Sequence, residues 1–285
     1  MHSAQELVTH IEGLTSLPTV YLRIREELDS EDCSLAEVAR IITADPALTA
    51  RLLHVVNSAL YGYGGRIDTI QRAVTILGLQ QVHDLVLTMS IGSVFQNVKP
   101  ERMDMKRFWQ GSVMCGLAAR ETGQRAKLAN PERLLTIGLL ADIGHLVMYQ
   151  TVPHLAEEAQ VQANASDTPL FQAERTIVGC DYAEVGATLA QQWKLPASFA
   201  QVIGAQVNPR LAGEFITEAS VLNLAAHIIA ADRSGEPSEA AAERVDPLVW
   251  AQIDLTPEDF SSLRESAELH LASYIAILFP AMSPY

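Results

Sequence analysis

The chain has little cysteine: three residues in 285, Cys33, Cys115 and Cys180, with no CxxC among them. That spacing excludes a zinc knuckle and a thioredoxin-type redox pair. An odd, sparse set is what reduced thiols give, so the expected location is cytoplasmic. Positive charge is also short. Twenty lysines and arginines stand against 34 acidic residues, a formal net charge of -14, with no basic run. Such a surface repels phosphate backbones, so neither nucleic acid nor an anionic membrane is an expected partner. The N-terminus MHSAQELVTHIEGL has no basic patch followed by an apolar stretch, so no signal peptide is expected. No uninterrupted run of roughly 18 apolar residues is visible, so no membrane-spanning helix is expected. Internal repeats and low-complexity tracts are missing as well.

Several catalytic signatures are missing too. His2, His10, His54, His83, His154 and His270 form neither HxxH nor HExxH. Ser58 and Ser112 have no histidine and aspartate at a triad spacing. Gly62, Gly64 and Gly65 lie in a glycine-rich stretch, but no Lys-Ser/Thr follows and no strand precedes, so a turn is expected there rather than a phosphate cradle.

What is present is helical period. Hydrophobic residues make up 48% of the chain, enough for one large or two modest cores. Ser34-Leu35-Ala36-Glu37 reads as a capping box opening a helix that buries Leu35, Val38, Ile41 and Ile42. Asp45 suits an N-cap and Pro46 the first helical position, where a missing N–H costs nothing. Leu48, Leu52, Val55 and Val56 follow at helical spacing, with Ala59 and Leu60 after them. A third helix is expected from about Asp68-Thr69 to Gly78 and a fourth from Leu79 to Phe95. Residues 96–104 are polar, contain Pro100 and read as a joint. Beyond it, helices are expected at about 105–123, 131–150, 152–165, 168–178, 181–193, 196–206 and 214–233. Residues 234–248 read as a surface loop or weak helix, and Thr256-Pro257 opens a last helix. Strand alternation is almost nowhere seen, so the fold class is all-α, a multi-helix array. The division is an N-terminal helical half over residues 1–100 and a second over 101–285.

From Leu17 to Leu87 the chain resembles the first half of the HDOD domain, the HD-related output domain of bacterial signalling proteins. The marks are Leu17-Pro18, Asp45-Pro46-Ala47-Leu48, Asn57-Ser58-Ala59, Ile67 and Leu77-Gly78. The likeness runs on through Phe108-Trp109, GLLADIGHLVM and CDYAEVGATLAQQWKLP, and fades after about residue 235, leaving a C-terminal extension. It implies kinship with HD phosphohydrolases, whose helical pocket holds divalent metal through histidines and a His-Asp pair. Such chemistry needs several converging ligands, because the metal must polarise a phosphoryl oxygen and acidify water.

Against that pattern most ligands are missing. The first histidine falls on Gly111. The His-Asp pair falls on Ala141-Asp142. Tyr182 stands where the pattern has histidine, and Ala205-Gln206 where it has two. Asp142 alone survives, so the resemblance implies a degenerate HD-like bundle with no cofactor. Asp142, His145 and His227 are the vestigial candidates for a rebuilt metal site, since Asp142 and His145 share a helix face. The alternative for His145 is a packed, hydrogen-bonded side chain, and for Asp142 a helix cap or a partner for a base. Trp109, Asp142, Tyr182 and Gln206 are the candidate lining of a small-ligand pocket. Asn57, a polar group in an apolar helix, is expected to brace neighbouring loops.

The resulting expectation is a non-catalytic signal-transduction module, the output part of a response regulator or two-component system. It would act through protein contacts or a small ligand. Its expected partners are receiver, kinase or cyclic-dinucleotide domains. No receiver-domain pattern is visible in the chain. The alternative is a divalent-metal phosphohydrolase acting on a nucleotide or cyclic dinucleotide.

Overall fold

The structure is a computed structural model, described here for residues 1–11, 17–30, 33–58, 61, 66–94, 100–166 and 168–279. Gly62, Gly64, Gly65, Ala59, Leu60, Phe95 and residues 96–99 of the expected joint lie outside them. Among the described residues there is no strand, and the architecture is all-α. The chain divides into two compact units, Met1–Thr15 with Val98–Leu271, and Ser16–Asn97 with Ala272–Tyr285.

The helices in chain order are α1 (Ala4–Thr9), α2 (Thr19–Leu28), α3 (Leu35–Thr43), α4 (Pro46–Val56), α5 (Ile70–Leu77), α6 (Leu79–Val94), α7 (Met105–Arg125), α8 (Pro131–Leu140) and α9 (Ile143–Thr151). They continue with α10 (Pro153–Ser166), α11 (Leu170–Ile177), α12 (Tyr182–Gln192), α13 (Ala197–Ala205), α14 (Ile216–Ser234), α15 (Ser238–Glu243), α16 (Pro247–Ile253) and α17 (Asp259–Leu278).

In the smaller unit, α2 to α6 close over Tyr21, Ile24, Val38, Ile42, Leu52, Val56, Val74 and Val86, all buried. The caps explain where these helices begin. Asp45 accepts from the Leu48 amide at 3.0 Å with Pro46 at the first helical position, and Thr69 accepts from the Arg72 amide. Gly78, at φ +83°, lets the chain turn from α5 into α6. The capping box expected at Ser34 forms only by half. Ser34 Oγ accepts from the Glu37 amide, but the Glu37 carboxylate is drawn to Arg40 Nε at 2.8 Å, and the Ser34 amide donates to Glu27 instead. A guanidinium one turn on competes better for a carboxylate than a neutral amide does. Leu35, expected inside, is 45% exposed. The Asn57 amide clamps a loop end: Nδ2 donates to the Ile67 carbonyl at 2.7 Å and Oδ1 accepts from the Ile67 amide at 2.8 Å.

The larger unit is built on α7, which is buried along most of its length and packs on α8 and α14. The first residues belong to this unit, a correction to a division at residue 100. Ser3 and Glu6 form a capping box that starts α1, Leu7 and Val8 are buried, α1 packs on α12, and the His2 amide donates to the Val178 carbonyl. The helix expected over 131–150 is broken at Ala141-Asp142 into α8 and α9. Residues 234–248 hold α15 and the start of α16, whose Ala241, Ala242 and Val249 are buried, so that stretch is not merely surface loop.

Two helical stretches, Pro131–Thr151 and Gly213–Ser234, are long and apolar enough to cross a membrane, each with a mean hydropathy of 1.2 over its best window. They qualify by length and composition alone, the first across the α8–α9 break. Scattered polar residues hide the trait in a run-counting reading. Within the unit, 72% and 50% of those windows are buried.

Candidate functional site

The cleft of the larger unit lies where α7, α9, α10 and α14 converge. It has a volume of about 720 Å³, and its lining includes Arg107, Asp142, His145, Tyr149, Gln160 and Arg233. The α8–α9 break points Asp142 into it. Asp142 occupies the N-cap position of α9 but caps no backbone amide. It spends its charge across the cleft: Oδ2 lies 3.6 Å from Arg233 Nη2, and Oδ1 lies 3.8 Å from His145 Nδ1.

His145 follows Gly144, and the glycine is required. A Cβ there would run into the Tyr182 carbonyl oxygen, so only glycine lets α9 approach α12 this closely. That approach stacks the imidazole on the Tyr182 ring, centroids 4.1 Å apart and planes 15° apart. His145 Nε2 stands 3.0 Å from Glu174 Oε1, an ion-pair contact out of line for an ideal hydrogen bond. The other Glu174 oxygen accepts from the Tyr182 amide at 3.0 Å. Glu174 is 2% exposed, so its charge needs these partners. Burial disfavours the charged imidazole, but the charges of Glu174 and Asp142 outweigh it, and the His145 pKa sits above its ordinary value. Burial, reinforced by Asp142 and Glu174, holds the Tyr182 phenol far above its ordinary range and therefore neutral.

The remaining candidates fall elsewhere. Trp109 is buried and packs edge-on to Phe108, with ring centroids 4.9 Å apart, and does not line the cleft. Tyr182, stacked on His145, is off the lining, and so is Gln206. Its Nε2 donates to the Ala141 carbonyl at 2.9 Å, its carbonyl oxygen of the backbone accepts from Asn223, and it thereby pins the α8–α9 break. His227 lies with Arg244 and Glu236 as its charged neighbours, and burial pushes its pKa down. Asp142 and His145 are thus brought together and His227 is not. Asp45 and Pro46 sit at their cap in the other unit.

An HD-type metal can be tested against this geometry. Among the described residues no three histidine, cysteine, aspartate or glutamate side chains gather into a group able to hold a metal ion. The structure also shows what fills the space. A Cβ built on Gly111 would land inside the Arg233 guanidinium. Where the enzyme pattern has a histidine, this chain has an empty backbone position over which an arginine lies, and that arginine faces the surviving aspartate. The Arg233 cation beside Asp142 repels a second one and takes up the room of the missing ligand. Asp142 and His145 fall short of the three or more protein ligands of a zinc-type site.

Two residues of this site escape a reading of the sequence. Glu174 sits in an ordinary amphipathic stretch, LFQAERTI, and nothing local marks it. Arg233 ends α14, far along the chain from Gly111. The one signal was Gly111 itself, a glycine inside a long helix, which costs about 0.5–1 kcal/mol against alanine and so asks for a reason.

The sequence model of the HDOD domain matches residues 14–209. Among solved structures, an HDOD domain protein of unknown function from Geobacter sulfurreducens superimposes with a TM-score of 0.78 at 23% identity, covering 97% of each chain. A protein from Shewanella amazonensis SB2B, named as a candidate phosphohydrolase, gives 0.71 at 25% identity over 99% of this chain and 98% of that one. An uncharacterized protein of Treponema pallidum (strain Nichols) is 31% identical over 199 residues, 68% of this chain but only 37% of the relative's length. The family match covers more than half of the chain, in the order of marks read from the sequence: the chain belongs to the HDOD family.

Proposed function

We propose that this HDOD chain is a non-catalytic signal-transduction module, which passes on a change in helix packing when a partner protein or a small ligand binds. The observation that carries this is Gly111 under the Arg233 guanidinium. Together with Ala141 and Tyr182 at the other ligand positions, it leaves Asp142 paired with an arginine instead of a metal. Hydrolysis of a phosphate ester in an HD-type pocket needs a polarised phosphoryl oxygen and an activated water. Among the described residues no group of three or more metal-ligating side chains gathers to supply them. The cytoplasmic location, and receiver, kinase or cyclic-dinucleotide domains as partners within a response-regulator pathway, belong to the same proposal. They rest on membership of the family.

The test is turnover. The purified full chain is assayed against phosphomonoester and phosphodiester chromogenic substrates with manganese, iron or magnesium, beside an Asp142→Ala control. The expected result is a rate equal to the control with every metal. Turnover that vanishes in Asp142→Ala establishes the alternative, a divalent-metal phosphohydrolase, to which the name of the Shewanella amazonensis structure points.

A further inference from the structure

The same cleft carries two guanidinium groups that donate no hydrogen bond among the described residues, Arg107 and Arg233, the second ion-paired with Asp142 at 3.6 Å. Arg107 lies one turn before Gly111 on α7, so both project from one face of that helix. The side chain of Arg233 crosses over Gly111. Arg107 and Arg233 therefore face the same space, and both also line a smaller depression of about 260 Å³ beside the main cleft.

Their surroundings are short of acceptors. Two guanidinia carry about ten N–H donors. Among the described residues none of those from Arg107 or Arg233 has an acceptor within hydrogen-bond distance, and the contact of Arg233 with Asp142 is an ion pair at 3.6 Å. Asp104 and Asp142 share the lining with these arginines, and the carboxylates around them are engaged in part. Asp104 Oδ1 accepts from the Lys106 and Arg107 backbone amides at 3.0 and 3.1 Å, capping α7. Asp232 pairs with Arg264 at 3.2 Å. Glu157 pairs with Arg102. In a chain of net charge -14, two cations left without hydrogen-bonded partners on one wall are an exception to the surface around them. The opposite wall offers Tyr149, Gln160 and Asn164, neutral groups that hydrogen-bond without repelling an anion. The volume lies within the range of small-molecule sites, about 300–1,000 Å³.

We propose that the cleft binds a phosphorylated small molecule, with its phosphate group seated between Arg107 and Arg233 and its body against Tyr149, Gln160 and Asn164. Paired guanidinia match a tetrahedral oxyanion in geometry as well as charge. The proposal deepens the reading of this cleft as a ligand site in a non-catalytic module and rests on that reading.

The experiment is calorimetric titration of the full chain with inorganic phosphate, glycerol 3-phosphate and adenosine 5′-monophosphate, at low and at physiological salt. Arg107→Gln is the test variant, because the side chain is exposed and makes no intramolecular hydrogen bond among the described residues. Arg210→Gln, which breaks an exposed pair with Asp246, is the control. At least one probe is expected to bind, weaker by at least about tenfold in Arg107→Gln and unchanged in Arg210→Gln. Comparing inorganic phosphate with the two esters tells whether the body contributes. Absence of binding by all three probes, or equal binding by Arg107→Gln and the native chain, overturns the proposal and leaves the non-catalytic reading standing. A bound ester that is hydrolysed in an Asp142-dependent way overturns the non-catalytic reading and leaves the phosphate seat standing.

Discussion

The buried floor behind His145, off the cleft lining, and the arginines that line the mouth differ in how completely their charges are answered. On the floor, Glu174 is buried and meets His145 through one oxygen and the Tyr182 amide through the other, while the imidazole rests on the Tyr182 ring. At the mouth, Arg107 and Arg233 are exposed and donate no hydrogen bond among the described residues, with Arg233 3.6 Å from Asp142. A finished buried network fixes how α9, α11 and α12 meet. An unfinished one at the rim is available to something outside the chain. On the proposed reading, one end of this pocket is structure and the other recognises an anion.

The comparison can be broken most severely at the floor. Glu174→Gln leaves His145 without its charge partner and disturbs the Tyr182 amide contact. It is expected to destabilise the protein by about 3 kcal/mol, as for other buried pairs with one partner removed. Urea unfolding measures this. A loss below about 0.5 kcal/mol, the scale of ordinary surface changes, would show that the floor is no more committed than the rim.

Arg107→Gln should do the reverse. Its unfolding free energy should match the native chain within about 0.5 kcal/mol, while phosphate affinity falls by at least about tenfold. A substitution that costs stability instead would move Arg107 from recognition to structure.

The floor also predicts a pH dependence of definite sign. The folded pKa of His145 is raised above its ordinary 6.5. The stability it contributes is therefore fully present below about that value and is lost as pH rises through the higher, folded one. Between those limits the native chain should lose stability relative to His145→Gln, whose own dependence is flatter. Thermal unfolding over a pH series reads the difference, and parallel curves would remove the imidazolium from the network.

The smallest expected effect is on Gly111→Ala. The added methyl meets only the flexible end of Arg233, which can swing aside, and the helix gains about 0.5–1 kcal/mol from replacing glycine. Stability should stay level or rise slightly while phosphate binding weakens, because Arg233 can no longer lie across α7. A fall in stability would mean that the arginine is held more firmly than its exposure suggests.

Local signals were the legible ones. Asp45-Pro46 and Thr69 start their helices because a cap depends on residues three positions apart. The Ser34–Glu37 box failed because Arg40, just outside that window, outbid the backbone for the carboxylate. The break between α8 and α9 was hidden because Ala141-Asp142 carries no glycine or proline, and what holds it there, Gln206, comes from a distant helix. The resemblance implies that metal ligands are missing at Gly111, Ala141 and Tyr182, because a sequence shows which side chain stands at a given place. The replacements, Arg233 and Glu174, are fixed only by tertiary packing and were not legible.

The most direct measurement is metal stoichiometry. The full chain is loaded with manganese, iron or zinc, passed through a desalting column and analysed for metal, beside a variant carrying both Gly111→His and Arg233→Ala. With an arginine in the cation's place, the native chain should retain well below one ion per chain, and the double variant more than the native. One or more tightly held ions in the native chain, lost in Asp142→Ala, would contradict it.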